Sequence, residues 1–237
     1  MRIKISNRDA PNVPGAIGNY SAGVATRDVS LVKIPLTAPK SVNYGIKGQT
    51  KQLLRQLNEM LEIQRTSLAN LVKTNVQLLS LTYFKIFDQI YGEYLKPHVG
   101  DIYPARLTYG APIPEEGVLV KMGCVAEGPE KRPGFRSIYT AGQLPINPIT
   151  KEMVGGKIED QTRQAFDNVI AIIEAAKFFP KHVNYLRILY IHEKDKGPID
   201  DVRKEYFGEL GTFQKVSEIA MGSPIEVDAI ASVGNGI

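Results

Sequence analysis

One cysteine and three histidines set narrow limits on the chemistry that these 237 residues can perform. Cys124 falls in the series Val118, Val120, Met122, Cys124, Ala126, whose period of two marks a strand with one buried face. Its thiol therefore reads as a small buried hydrophobe rather than a nucleophile. A lone cysteine also excludes an internal disulfide framework and a cysteine-rich zinc site. His98, His182 and His192 group neither with each other nor with carboxylates, so no metal is expected.

The elements that must position any functional group are legible from spacing. From Ile158, apolar residues at Ala165, Phe166, Val169, Ile172, Ile173 and Ala176 form one stripe of an amphipathic helix. Glu159 and Asp160 stand at its start, where the exposed amides of a first turn favour negative charge. A similar stripe, Leu53, Leu54, Leu57, Met60 and Leu61, predicts a helix over Lys47 to Glu62, followed by a strand containing Val72, Val76 and Leu78. Phe87, Ile90, Tyr91 and Tyr94 predict a second helix ending before Pro97. Gln49-Thr50 and Gln161-Thr162 open similar helices 112 residues apart, so the chain is read as an internal duplication. Gly128 to Gly134, polar and dense in Pro and Gly, is the expected linker, giving units 1–127 and 128–237. Past it come a strand through Tyr139, a helix from Ile158, a strand Val183 to Ile191, a helix Ile199 to Leu210 and a strand Ile225 to Ala231. Each unit is α+β, with helices packed on a sheet.

Composition is that of an ordinary globular protein, 43% hydrophobic and 23% charged. No apolar run reaches the roughly 18 residues of a membrane span, and the start lacks the apolar core of a signal peptide, so a cytoplasmic location is expected. Residues 1–127 hold 15 Lys and Arg against 10 Asp and Glu, a net +5, whereas residues 128–237 hold 14 against 15. The basic residues are scattered, as on a solvated surface, rather than gathered into a nucleic-acid patch.

The segment AGQLPINPITKEMVGGKIEDQTRQAFDNVIAIIEAA, residues 141–176, resembles the central signature of the RidA/YjgF family. Its elements are SGQ, a Pro/Asn turn, an acidic residue before Gln-Thr, and a helix with spaced aliphatics. Asp9 to Val24 is similar to that family's opening, which has Ala-Pro followed by Gly, Tyr and Ser. Leu68 to Leu95 resembles its third strand and second helix, and Tyr103-Pro104-Ala105-Arg106 its Pro-Ala-Arg motif. The resemblance implies two tandem RidA-like, chorismate mutase-like domains, each a mixed sheet with two helices on one face. It also implies association of domains into trimer-like arrangements and a homo-oligomer. The implied activity is hydrolysis of reactive 2-imino or enamine acids to 2-keto acids and ammonia in an interdomain cleft, without metal or coenzyme.

By the same resemblance, Arg106 is the carboxylate-binding residue, a role that suits a planar guanidinium, and Tyr20 is the cleft tyrosine. The family's acidic residue is Glu226 in the second unit, but Lys121 in the first. Gly142 and Gln143 keep the family motif behind Ala141, where Ser is usual; the first unit has Lys33-Ile34-Pro35-Leu36 there. The second unit has no Pro-Ala-Arg, and its nearest segment, Gly211 to Gln214, offers no full positive charge. The family's helix asparagine is replaced by Asp88 and, near the same place in the second copy, Asp200. Neither unit has a whole site. One reading is a composite cleft with Arg106 and Tyr20 from the first unit and Gly142 and Glu226 from the second. The alternative is a decayed hydrolase that binds a small carboxylate at Arg106 or serves in assembly. RNA cleavage or inhibition of translation, also attributed to family members, is a third reading. The net charge of the first unit permits it, but no pair of histidines or aromatic platform supports it.

Overall fold

The computed structural model describes residues 2–5, 12 and 15–234, so the Ala10-Pro11 of the expected opening lies outside them. The amphipathic stripes form as spacing dictates. Helix α1 (Gly45–Ile63) buries Leu53, Leu54, Leu57 and Leu61. Helix α3 (Ile158–Ala175) buries Phe166, Val169, Ile172 and Ile173 behind an acidic first turn. Two helices differ from expectation at their ends. Helix α2 (Phe84–Val99) runs through Pro97, because a proline in the last turn sacrifices one backbone hydrogen bond while buried Leu95 and Val99 hold that turn on the core. Helix α4 (Lys196–Phe207) begins and ends three residues early; Gly208, at φ 59°, turns the chain out of the helix.

The strands are β1 (Arg2–Ile5), β2 (Gly23–Thr37), β3 (Leu71–Leu78), β4 (Ala105–Gly110), β5 (Val120–Thr140), β6 (Val183–Tyr190), β7 (Thr212–Lys215) and β8 (Ile225–Val233). Among the described residues all eight join one mixed sheet, ordered β1-β2-β5-β8-β6-β7, with β3 also on β5 and β4 on β3. The two parallel pairs, β3 with β4 and β6 with β7, are each connected through a helix, α2 or α4, as parallel neighbours require. The fold is thus α+β with a repeated order of elements. No helix among the described residues is long and apolar enough to cross a membrane.

Residues 128–134 are not a linker: they lie inside the 21-residue strand β5. The first part of β2 pairs with the last part of β5, from Gly23 opposite Thr140 to Arg27 opposite Arg136. The last part of β2 pairs with the first part of β5, from Leu31 opposite Glu127 to Thr37 opposite Met122. Between them the register shifts at Asp28, which has φ 59° and accepts a hydrogen bond from the N–H of Gly134 at 2.7 Å. This two-stranded ribbon ties the halves together. The core under α3 and α4 accordingly contains Ile5, Ala22 and Ala25 from the start of the chain, beside Phe166, Ile188 and Val227. A separate core under α1 and α2 holds Leu57, Phe87, Tyr91 and Met122, and with them Cys124. Between the halves, Leu107 and Tyr109 of β4 pack with Leu144, Leu189 and Val216.

Candidate active site

Strand β4 has β3 on one edge, and the other edge is closed by the rest of the molecule. The N–H of Gly142 donates to the carbonyl of Arg106 at 3.0 Å, the N–H of Ser21 to that of Pro104 at 3.2 Å, and the N–H of Gly110 to that of Glu218 at 2.9 Å. Two residues apart, Arg106 and Thr108 share a face of this strand. On β8, Val227, Ala229 and Ala231 enter the core under α3 and α4. Alternation turns Glu226 and Asp228 the other way, toward the first half. The two faces meet at a pocket of about 30 Å³ whose lining includes Tyr20, Arg106 and Thr108 from the first half with Gly142 and Glu226 from the second. Four residues named from sequence therefore come together across the halves. Arg106 and Glu226 lie on strands that do not pair. Gln143 instead lines an adjoining space of about 20 Å³ with Tyr20 and Gly142. Its backbone exchanges hydrogen bonds of 2.7 and 3.0 Å with Val227.

Arg106 is 3% exposed. Its guanidinium carbon lies 4.9 Å from the ring centre of Tyr91, 5.1 Å from Tyr20, 5.5 Å from Phe84 and 5.6 Å from Phe87, an aromatic cage favourable for a cation. Nη1 stands 2.7 Å from Asp88 Oδ1, close enough for an ion pair, yet neither Nη1 nor Nη2 has a hydrogen-bond partner of proper geometry. Asp88 is itself held by the backbone N–H of Asn19 at 3.2 Å and its side-chain amide at 2.9 Å. The Tyr20 hydroxyl accepts from the N–H of Ile17 at 3.1 Å, and burial raises its pKa.

Glu226 is as deeply placed, and its Oε2 has no hydrogen-bond partner. Burial, reinforced by Asp228, pushes its carboxyl up to about 8 against the opposing pull of Lys73, Arg187 and Arg106. Gly142 has to be glycine here, since a Cβ would collide with the Glu226 carboxylate and crowd Leu107. A further unpartnered polar atom of the pocket is Thr108 Oγ1. Sequence reading missed Thr108; its only signal was the two-residue step from Arg106.

Behind the pocket lies a buried ionic cluster that sequence reading also missed. Lys73 Nζ donates to Asp228 Oδ2 at 2.6 Å and to the carbonyl of Thr140 at 2.5 Å. Arg187 donates to both oxygens of Asp228, at 2.8 and 3.0 Å, and to Asn75 Oδ1 at 2.7 Å. Burial opposes ionisation of Asp228, but Arg187 and Lys73 outweigh it and hold the carboxyl at about 2. The visible signal was a lysine in the middle of an otherwise buried strand.

The corresponding place in the other copy is empty of such chemistry. Lys121 does occupy the position matching Glu226, opposite Gln77 as Glu226 is opposite Leu189, and donates to Glu115 at 2.7 Å. The register places Gly211, rather than Gln214, where Arg106 would recur: Arg106 pairs with Thr74, and Gly211 precedes the Thr212–Arg187 pair. Cys124 is buried, with its thiol pushed up to about 12 by desolvation, as suits a packing residue. His98 stacks on Tyr94, and His182 Nδ1 accepts from the N–H of Phe179. No group of His, Cys, Asp and Glu suited to a metal occurs among the described residues.

The chain is similar to known proteins. The family model described as endoribonuclease L-PSP matches the chain twice, over residues 10–128 and 135–233. A RutC family protein of Pyrococcus horikoshii is 38% identical over 97 residues, which are 40% of this chain and 77% of that protein. A 2-iminobutanoate/2-iminopropanoate deaminase of Homo sapiens is 30% identical over 121 residues, 49% of this chain and 85% of its own length. Among solved structures, Escherichia coli TdcF with bound serine is 26% identical over 41% of this chain and 81% of its own, with a TM-score of 0.39.

Proposed function

This chain belongs to the endoribonuclease L-PSP family, the RidA/YjgF group whose motifs it carries, and from that premise we propose that it hydrolyses 2-imino or enamine acids to 2-keto acids and ammonia. One observation carries the reading. Three polar groups left without hydrogen-bond partners, on Arg106, Thr108 and Glu226, belong to the lining of one pocket. Buried polar atoms are seldom left unpaired, so a cation, a hydroxyl and a carboxylic acid gathered in this way await a ligand. Four relatives, from Homo sapiens, Rattus norvegicus, Mus musculus and Dermatophagoides farinae, are named for such a deaminase activity.

The chemistry follows from the groups. Arg106, ion-paired with Asp88 through Nη1 and held in its aromatic cage, offers Nη2 to the substrate carboxylate. With its carboxyl raised to about 8, Glu226 is protonated at neutral pH and donates to the imine nitrogen as water adds to the imine carbon. The carboxylate so formed takes the proton released by that water, leaving a carbinolamine. Glu226 then protonates the amine, the carbon–nitrogen bond breaks, and the carboxylate recovers its proton as the hydroxyl becomes the keto group. Water and imine are consumed; keto acid and ammonia are released. The Thr108 hydroxyl holds the attacking water, for which a space of 30 Å³ leaves room. Both backbone N–H groups of Gly142-Gln143 are already engaged, so Arg106 carries the charge stabilisation. The pocket draws on both halves of one chain.

The test generates 2-imino acids in situ with an amino-acid oxidase and times the appearance of keto acid with and without the protein. Arg106→Ala is expected to lose about 100-fold or more, the equivalent of two charge-assisted hydrogen bonds. Glu226→Gln, which cannot shuttle a proton, is expected to lose roughly 100- to 10,000-fold. No acceleration of any imine by the wild-type protein overturns the hydrolase and leaves a carboxylate-binding protein.

A further inference from the structure

Resting on the reading above, the outer part of the site specifies which acid is taken. The pocket around Arg106 and Glu226 is about 30 Å³, on the scale of a single water and far too small for a substrate's side chain. Directly outside it opens a second space of about 200 Å³, lined by Ile17, Leu81, Phe84, Ala220 and Met221. Ile17, Phe84 and Ala220 line both spaces, so the two adjoin. Among the described residues, no charged or hydrogen-bonding side chain lines the outer chamber. It is larger than the roughly 150 Å³ apolar cavity known to hold benzene. With its carboxylate on Arg106, a 2-imino acid has one remaining substituent, and of the two spaces adjoining the pocket this chamber, rather than the one of about 20 Å³, has room for it.

We infer that the chamber of Leu81, Phe84, Ala220 and Met221 binds the side chain of the substrate and selects 2-imino acids with branched or aromatic side chains over those with a methyl group. A small substrate leaves apolar surface in contact with water, whereas an isobutyl or benzyl group covers it. Met221 bears on this directly. It is 60% exposed and held at φ 57°, a left-handed conformation that a methionine seldom adopts and that is tolerated where the surroundings impose it. The next residue, Gly222, has φ 68°, so two successive left-handed residues set this rim.

The experiment compares keto acid formation from the imines of alanine, leucine and phenylalanine, and in a separate arm the binding of pyruvate, 4-methyl-2-oxopentanoate and phenylpyruvate by calorimetry. The expected result is at least a tenfold preference for the larger members in both arms, within the range that apolar pockets achieve. Two variants tie the preference to the chamber. Leu81→Trp fills it, and Met221→Asn puts a polar group on its wall while keeping a residue type that accepts positive φ. Each should reduce the large-to-small ratio, measured on the same variant, by about tenfold. Equal or better handling of the alanine imine by the wild-type protein, or a ratio that neither variant changes, overturns the inference. Absence of all turnover overturns the hydrolase instead, and the binding arm then decides: equal affinities, or no binding, overturn the chamber's role too.

Discussion

At Gly142 the absence of a side chain is a requirement of the site. The Glu226 carboxylate and the Leu107 side chain occupy the place of the missing Cβ, so Gly142→Ala must displace a buried acid. The expected result is a loss of activity of about tenfold or more with a modest fall in melting temperature, read by the imine assay and by calorimetry. Glu226 makes a second prediction. A carboxyl whose pKa is raised on folding favours the protein fully below its unfolded value, near 4.5, and loses that contribution as pH rises through about 8. Stability should therefore fall across this window by an amount on the order of 4 kcal/mol. Glu226→Gln should flatten that part of the profile and be the more stable protein above pH 8; parallel profiles would disprove the assignment. Arg106, Tyr20, Gly142 and Glu226 were legible because each sits in a short motif. Thr108 was not, nor was the pairing of Asp88 with Arg106, because both depend on which strand or helix lies opposite.

Strands β3, β6 and β8 carry the buried cluster of Lys73, Arg187 and Asp228 that joins the halves behind the pocket. Lys73→Ala leaves Asp228 with Arg187 alone and leaves the Thr140 carbonyl without its donor. Breaking a buried pair of this kind costs about 3–5 kcal/mol. For a chain of this size the melting temperature should fall on the order of 10 °C, and thermal unfolding followed by circular dichroism measures it. A change of only a degree or two would mean that the cluster contributes little. Hydrophobic spacing disclosed the elements themselves well, since a stripe such as Leu53, Leu54, Leu57 and Leu61 has one helical solution. It misjudged ends: Pro97 reads as a stop until the packing of Leu95 and Val99 is known, and the turn at Gly208 ends α4 before Leu210.

Across the whole molecule, the duplication and the α+β class were visible in the recurrence of Gln-Thr helices and strand patterns. The exchange of strand partners was not. Residues 128–134 have the composition of a linker because their side chains are largely exposed, and an exposed ribbon selects the same polar, Pro- and Gly-containing sequence. Cutting the chain between residues 127 and 128 would separate Gly23–Arg27 from Arg136–Thr140 and strip Ile5, Ala22 and Ala25 from the second core. Residues 1–127 expressed alone should therefore lack cooperative unfolding and slow amide exchange, and should regain both when 128–237 is co-expressed. Independent two-state unfolding of both pieces would show that each half can close on itself.

The β2–β5 ribbon also imposes an order on synthesis. When Gly23–Arg27 leave the ribosome, their partners at 136–140 are more than 100 residues from emerging. At about 5–20 residues per second, that strand edge waits on the order of 5–20 s. Among the described residues, its register partner already made in this interval is Arg2–Ile5. The nascent first half is thus a hazard for chaperones to cover, and the speed of translation through the middle of the message sets how long they must do so.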